Sequence, residues 1–326
     1  MFTLDRRTER GVEVFVLHGE KGGRSMEAWV IPEEGMNTAR IIVDGQAVID
    51  WDEKRFYNGG TYGVPILYPT PNKLPEGRYT FEGRDYVMKV RDQVLSSHGL
   101  VRKEPFDVRD VHLTKDSASI TGVLEFKPGA AVFEGFPFVS ELWITVSVTL
   151  DDWHFGYRVV NNDEKDLPFG LALHPYFYRK GKETVYRSDC DTILTLAEPG
   201  DEYVTTGRTR DPRNTREDIR NWTNPDVLVQ PSGVCYFGCD PNKETATVWY
   251  SDSTNLKVRL TATRDFKYLV TFAPKDFPYF CLESQTCSAD PINTYERGLK
   301  EAANLTVLKP GESFSGAVDY HFYYGE

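Results

Sequence analysis

The chain lacks the features that mark several whole classes of protein. No uninterrupted apolar run approaches the ~18 residues of a membrane-spanning helix, so nothing in it reads as a helical span. It contains no G-x-G-x-x-G, no Walker loop and no H-E-x-x-H, which leaves nucleotide-cofactor and zinc-protease chemistry without a signal. Internal repeats and low-complexity tracts are missing too. Helix signals are sparse, the best being residues 214–222, where Asn214 or Thr215 offers a cap and Glu217 and Asp218 lie in the first turn. The seven N-terminal residues run directly into charge and lack the apolar stretch of a signal peptide. Cysteine is scarce: Cys190, Cys235, Cys239, Cys281 and Cys287. An odd number of cysteines without a signal peptide is expected of reduced thiols in the cytoplasm. Cys235 and Cys239 with Cys281 and Cys287 offer four thiolates for zinc, but neither pair has the tight C-x-x-C spacing of most such sites, and buried small hydrophobes are the favoured reading.

Positive charge is also in deficit. The net charge of −11 repels phosphate at long range, so nucleic acids and anionic membranes are not expected partners. A neutral small molecule meets no such penalty. A phosphorylated one needs a local basic patch.

What the chain has in quantity is alternation. Its 326 residues are 40% hydrophobic and 13% aromatic, ample for a core. Over residues 140–150, Leu142, Ile144, Val146, Val148 and Leu150 share one face, and Glu141, Thr145, Ser147 and Thr149 share the other, interrupted by Trp143. That is the signature of a half-buried strand. Residues 256–263 alternate in the same way, and 13–16, 41–43, 77–81 and 268–272 are further strand candidates, rich in β-branched and aromatic residues. Residues 59–77 carry Pro65, Pro69, Pro71 and Pro75, which forbid a central strand over most of that length. The expectation there is an ordered surface loop. Many strands and few helices predict an all-β protein, a large antiparallel β-sandwich with few short helices, in a single domain over residues 1–326.

Three segments place proton-handling side chains among small or aromatic residues: Ser97-His98-Gly99, Leu173-His174-Pro175-Tyr176-Phe177 and Leu282-Glu283-Ser284. Alternation puts Gly170, Ala172, His174 and Tyr176 on one face, which leaves open volume beside the imidazole. A core or edge histidine with a backbone partner fits the same pattern. Glu283 alternates with Phe280, Leu282 and Ser284, on the side of Tyr279, Cys281 and Gln285. A carboxylate in such a stretch is either functional or paired with a lysine or arginine. His98, beside Gly99, lies where a ligand can approach the backbone closely. Two imidazoles and one carboxylate suit a reaction that takes a proton from one oxygen and gives one to another near neutral pH. His18, His112, His154 and His321 read as structural or solvated.

Taken in order, these segments resemble the aldose 1-epimerase (galactose mutarotase-like) family. Asn72-Lys73-Leu74 is similar to its Asn-Arg-Ile segment, and Gly77-Arg78-Tyr79-Thr80-Phe81 to the strand that follows. Residues 97–102, Ser-His-Gly-Leu-Val-Arg, resemble its His-Gly segment. His174-Pro175-Tyr176-Phe177 resembles its second histidine segment, Leu282-Glu283 its late Val-Glu segment, and residues 307–314 its closing turn and strand. The resemblance spans about residues 25–325.

The resemblance implies the galactose mutarotase-like supersandwich, with a sugar cleft across one sheet. It implies Glu283 as the general base on the C1 hydroxyl and His174 as the general acid on the ring oxygen. His98, Asn72 and Lys73 would assist the acid or hold hydroxyls. It implies no metal and no redox cofactor. The implied reaction interconverts the α and β anomers of a hexose, and the partner is a small-molecule sugar; the assignment requires His174 and Glu283 to face one cleft about a sugar ring's width apart.

Two departures bear on the substrate. Lysine stands at 73 where the family commonly has arginine, and it cannot make the planar two-pronged contact of a guanidinium. The family's sugar-binding aspartate is missing from the best match, Gly233-Val234-Cys235-Tyr236, with Asp240 as the nearby substitute. Tyr62, Tyr68, Tyr176 and Phe177 are candidates to stack on a pyranose. Arg78, Arg102 and Lys275 are candidates for the basic patch that a sugar 6-phosphate requires. Three alternatives remain open at this point. One is a hexose-6-phosphate 1-epimerase. Another is a non-catalytic carbohydrate-binding protein of the same fold. The third is a lyase or hydrolase on a related sandwich, although a hydrolase would need two flanking carboxylates.

Overall fold

Alternation in sequence becomes alternation in burial. In the strand Ser140–Val148 every second residue is buried, and Leu256–Ala262 repeats the pattern. The structure is a computed structural model that describes residues 1–51, 54, 58, 60–178, 184–188, 192–196, 204–211, 234–237, 246–250, 254–272 and 278–325; 184–188, 192–196 and 234–237 are described by backbone alone. The candidate helix over 214–222, Asp240, Lys275, Cys190 and Cys239 lie outside the described residues.

Two large sheets hold most of the strands, and all strand pairing within them is antiparallel. The first is 13-stranded. It begins as a meander of Phe2–Glu9, Val12–Lys21, Arg24–Ile31, Asn37–Val43 and Gln46–Ile49. It continues through Phe177–Tyr178, Tyr279–Gln285, Tyr268–Phe272, Val234–Phe237, Thr192–Leu196 and Thr205–Arg210, and Ile66–Leu67 and Ala172–Leu173 join at the middle. The second sheet is eight-stranded, in the order Asp107–Leu113, Ala118–Phe126, Ser140–Val148, Asp152–Asn161, Ser313–Tyr324, Leu256–Ala262, Ala246–Tyr250, Thr184–Ser188.

One contiguous core joins the sheets. Leu17, Ala28, Ile41, Phe280 and Leu282 from the first pack in the same cluster as Ile120, Leu142, Ile144, Phe155 and Tyr320 from the second. Apolar surface of this kind contributes ~25 cal/mol per Å² removed from water. Two helices, Pro291–Glu296 and Lys300–Ala303, complete the described secondary structure apart from short 3-10 turns and small two-stranded ribbons. The chain is therefore an all-β sandwich with few short helices.

One expectation is overturned. Residues 59–77 were expected at the surface, yet Tyr62, Val64, Ile66, Leu67, Tyr68, Thr70 and Leu74 are all buried. Proline prevents a long regular ladder but not burial. The segment meets its hydrogen-bonding needs piecemeal: Ile66–Leu67 pairs with Ala172–Leu173, Val64 N–H donates to Thr38 O, and Leu74 N–H donates to Ser96 O. It thus runs through the interior beside the extended segment that carries His174.

Candidate active site

Glu283 owes its position to register. The strand Tyr279–Gln285 is buried along all seven residues. Phe280 and Leu282 point into the main core, whereas Tyr279 and Cys281 belong to a separate cluster with Tyr176 and Phe272. Glu283 shares the parity of that second face. On one side it pairs with Val270. On the other, Ala172 pairs with Gln285 and Phe177 with Phe280, and that common register sets His174 opposite Glu283 and Tyr176 opposite Cys281. His174 N–H donates to Pro65 O at 3.0 Å and Tyr176 N–H to Gly63 O at 2.9 Å, while Pro175 between them has no N–H to satisfy.

The two functional groups meet. His174 Nε2 lies 3.3 Å from Glu283 Oε1, and both side chains are buried. The expected separation of a ring's width is not what the structure has: the imidazole and the carboxylate are in direct contact. Glu283 Oε2 is buried and accepts no hydrogen bond among the described residues. Burial pushes the Glu283 carboxyl well above the usual carboxylate range, because charge is disfavoured away from water.

His98 arrives from the other wall. Its ring stands edge to face with His174, centroids 5.4 Å apart. His98 adopts φ 63° and its N–H donates to Asn72 O at 2.7 Å; Asn72, at φ 60°, turns its own Oδ1 onto Lys73 N–H at 2.9 Å. Gly99 follows at φ 66°, and a Cβ there would lie 2.1 Å from Tyr68 O, so only glycine lets the histidine loop close on the interior segment. The His98 imidazole is held well below its ordinary value, first by desolvation, then by the charges of His174, Arg102 and Lys73. Arg102 is half-buried, its Nε has no acceptor among the described residues, and desolvation lowers its pKa while Tyr176 opposes that. Five residues read from the sequence, His98, His174, Glu283, Arg102 and Tyr176, therefore gather here, with Asn72 and Lys73 at the rim.

Arg78 does not join them. The strand Arg78–Phe81 turns Tyr79 inward and Arg78 out. Arg78 lies 3.8 Å from Glu76 and lines another cavity, of about 660 Å³, whose wall includes Asn293 and Arg297 but none of His98, His174 and Glu283. Tyr62 and Tyr68 are not sugar platforms either. The Tyr62 hydroxyl binds Glu34, and Tyr68 packs among Phe126, Phe136 and Phe169. Phe177 stacks on Phe280 in the core. His154 and His321 pair across strands with Asp319 at 2.6 Å and Asp152 at 2.7 Å. Cys281 and Cys287 are buried. Phe272 and Tyr279, which belong to none of the motifs above, line the same face. Tyr279 carried a signal, since it has the parity of Glu283; Phe272 needed the pairing with Cys281.

A carboxylate and an imidazole in contact, with a second imidazole beside them and a histidine loop that only glycine can close, form a constellation rather than isolated buried polar groups. The family model described as Aldose 1-epimerase matches residues 30–321. The chain belongs to the aldose 1-epimerase family. Among solved structures, it is similar to a galactose mutarotase-like protein from Clostridium acetobutylicum, with a TM-score of 0.83 at 18% identity over 99% of each chain. It is also similar to the galactose 1-epimerase of Lactobacillus acidophilus NCFM, with a TM-score of 0.73 at 14% identity over 100% of this chain and 99% of that one. An aldose epimerase homologue from C. elegans gives 0.71 at 14% identity, covering 92% and 96%. At these identities the structural likeness is one of fold. Among the described residues of this aldose 1-epimerase family member, no helix is long and apolar enough to cross a membrane.

Proposed function

We propose that this chain is an aldose 1-epimerase that interconverts the α and β anomers of a hexose. The observation that carries the proposal is the contact between His174 Nε2 and Glu283 Oε1 on a buried sheet face. The two oxygens that exchange protons in ring opening, the C1 hydroxyl and the ring oxygen, are bonded to the same carbon. They lie closer together than a hydrogen-bond length, so an acid and a base in contact suit them better than a pair separated by a ring's width.

Ionised Glu283 takes the proton of the C1 hydroxyl. The C1–O bond to the ring oxygen breaks, C1 becomes a carbonyl, and His174 delivers a proton to the departing ring oxygen. Rotation about C1–C2 presents the other carbonyl face. Closure reverses both transfers and restores Glu283 and His174 to their starting states. Burial makes Glu283 a stronger base once ionised, and His174 Nε2, 3.3 Å away, is placed to take part in the same proton exchange. His98, kept neutral beside His174, is suited to hold a sugar hydroxyl.

Arg102 favours a second reading, a hexose-6-phosphate 1-epimerase. Its guanidinium lies by His98 and Tyr176, and its Nε has no acceptor among the described residues. Arg78, turned away, gives that reading no help.

Polarimetry of freshly dissolved α-glucose, α-galactose and glucose 6-phosphate tests both. Acceleration of a free hexose supports the first, and strong preference for the phosphorylated sugar supports the second. No acceleration of any of the three removes the epimerase assignment for hexoses.

A further inference from the structure

We propose that Tyr176 is a positioning residue, which fixes the plane of the His174 imidazole against Glu283 and makes no contact with the sugar; the role rests on the epimerase reading of this site. The tyrosine and imidazole rings are stacked, with centroids 4.8 Å apart and planes 13° from parallel. One face of the Tyr176 ring is covered by the His174 imidazole, and Tyr176 is 6% exposed, as His174 is. Tyr279 meets it edge to face at 4.9 Å, and Phe272 stands at 65° to the imidazole, 6.2 Å away.

The stack follows from the backbone. Residues two apart on an extended segment share a face. Hydrogen bonds from His174 N–H to Pro65 O and from Tyr176 N–H to Gly63 O hold both residues to one neighbouring strand-like segment. Pro175 between them limits the backbone to that extended form. The imidazole is then sandwiched between Tyr176 on its face and His98 at its side, with Nε2 left pointing at Glu283. Turning the ring about its own Cβ–Cγ bond would break the stack and the contact with Glu283 together. The phenol face also attracts the positive charge that His174 carries when it acts as the acid.

Orientation matters most in the transition state, where a small misplacement costs up to ~100-fold in rate. Tyr176→Leu is therefore expected to lower kcat by roughly 10- to 100-fold while KM stays within about threefold. Tyr176→Phe keeps the ring and is expected to restore most of that loss. A tyrosine that bound sugar would give the opposite split: KM would rise with kcat kept, and phenylalanine would not rescue the loss of the hydroxyl. That result, or unchanged kcat in Tyr176→Leu, overturns the proposal. NMR of the His174 ring protons supplies a readout that needs no turnover. Stacking predicts upfield-shifted resonances in wild type and Tyr176→Phe and ordinary ones in Tyr176→Leu. A wild-type protein that accelerates no sugar defeats the epimerase reading, whereas ordinary His174 resonances in wild type defeat the stacking itself.

Discussion

Glu283→Gln separates the energetic burden of a buried carboxylate from its chemistry. In the folded protein burial holds this carboxyl well above its ordinary value, while in the unfolded chain it titrates near ~4.3. Between those two values the folded state keeps a proton that the unfolded state has released. Stability from this group is full below ~4.3 and is lost as pH rises through the folded-state value, with a slope of about −1.4 kcal/mol per pH unit for one proton. The glutamine variant has no such slope. Urea unfolding from pH 4.5 to 8, with equal m-values confirming the same unfolding transition, should therefore show the variant gaining on wild type as pH rises. His174 can meet the amide as a neutral imidazole, so the variant leaves no unpaired charge behind. Two curves that run parallel, or a wild type that gains on the variant with pH, would refute the argument.

Three further outcomes are expected. Gly99→Ala places a Cβ 2.1 Å from Tyr68 O at φ 66° and should destabilise by about 2 kcal/mol or more; a denaturation midpoint equal to wild type would contradict the close approach. The acidic limb of the kcat/KM profile should lie above the ~4.3 of an ordinary glutamate, because Glu283 must ionise against its burial; a limb at that ordinary value would contradict Glu283 as the base. The Cys287 thiol, pushed up to about 12 by burial, should stay unlabelled by iodoacetamide in the native protein at pH 8, as read by peptide mass spectrometry; rapid native labelling would contradict its burial.

Much of the fold was legible because alternation is local. The patterns at 140–150 and 268–272 are the strands Ser140–Val148 and Tyr268–Phe272. Legibility failed where pairing partners decide. The prolines of 59–77 announced irregular backbone but carried no information on depth, and Tyr62 and Tyr68 became interior residues. Arg78 looked like a ligand contact until the strand Arg78–Phe81 turned it outward. Glu283 stood out as a carboxylate in an apolar run, yet its partner is His174 rather than a lysine or arginine. That partnership arises from the register between two segments more than 100 residues apart in the sequence, which no local pattern encodes.

The central claim is that His174 and Glu283 act as a matched acid and base on a hemiacetal. Exchange NMR between the α and β anomers of a hexose at equilibrium, with wild type, His174→Asn and Glu283→Gln at equal concentration, tests it most directly. The account predicts catalysed exchange in wild type and losses on the order of 10²- to 10⁴-fold in each variant, with sugar binding retained in Glu283→Gln. Full exchange in either variant would contradict the assignment of that residue, and absence of catalysed exchange in wild type would contradict the claim itself.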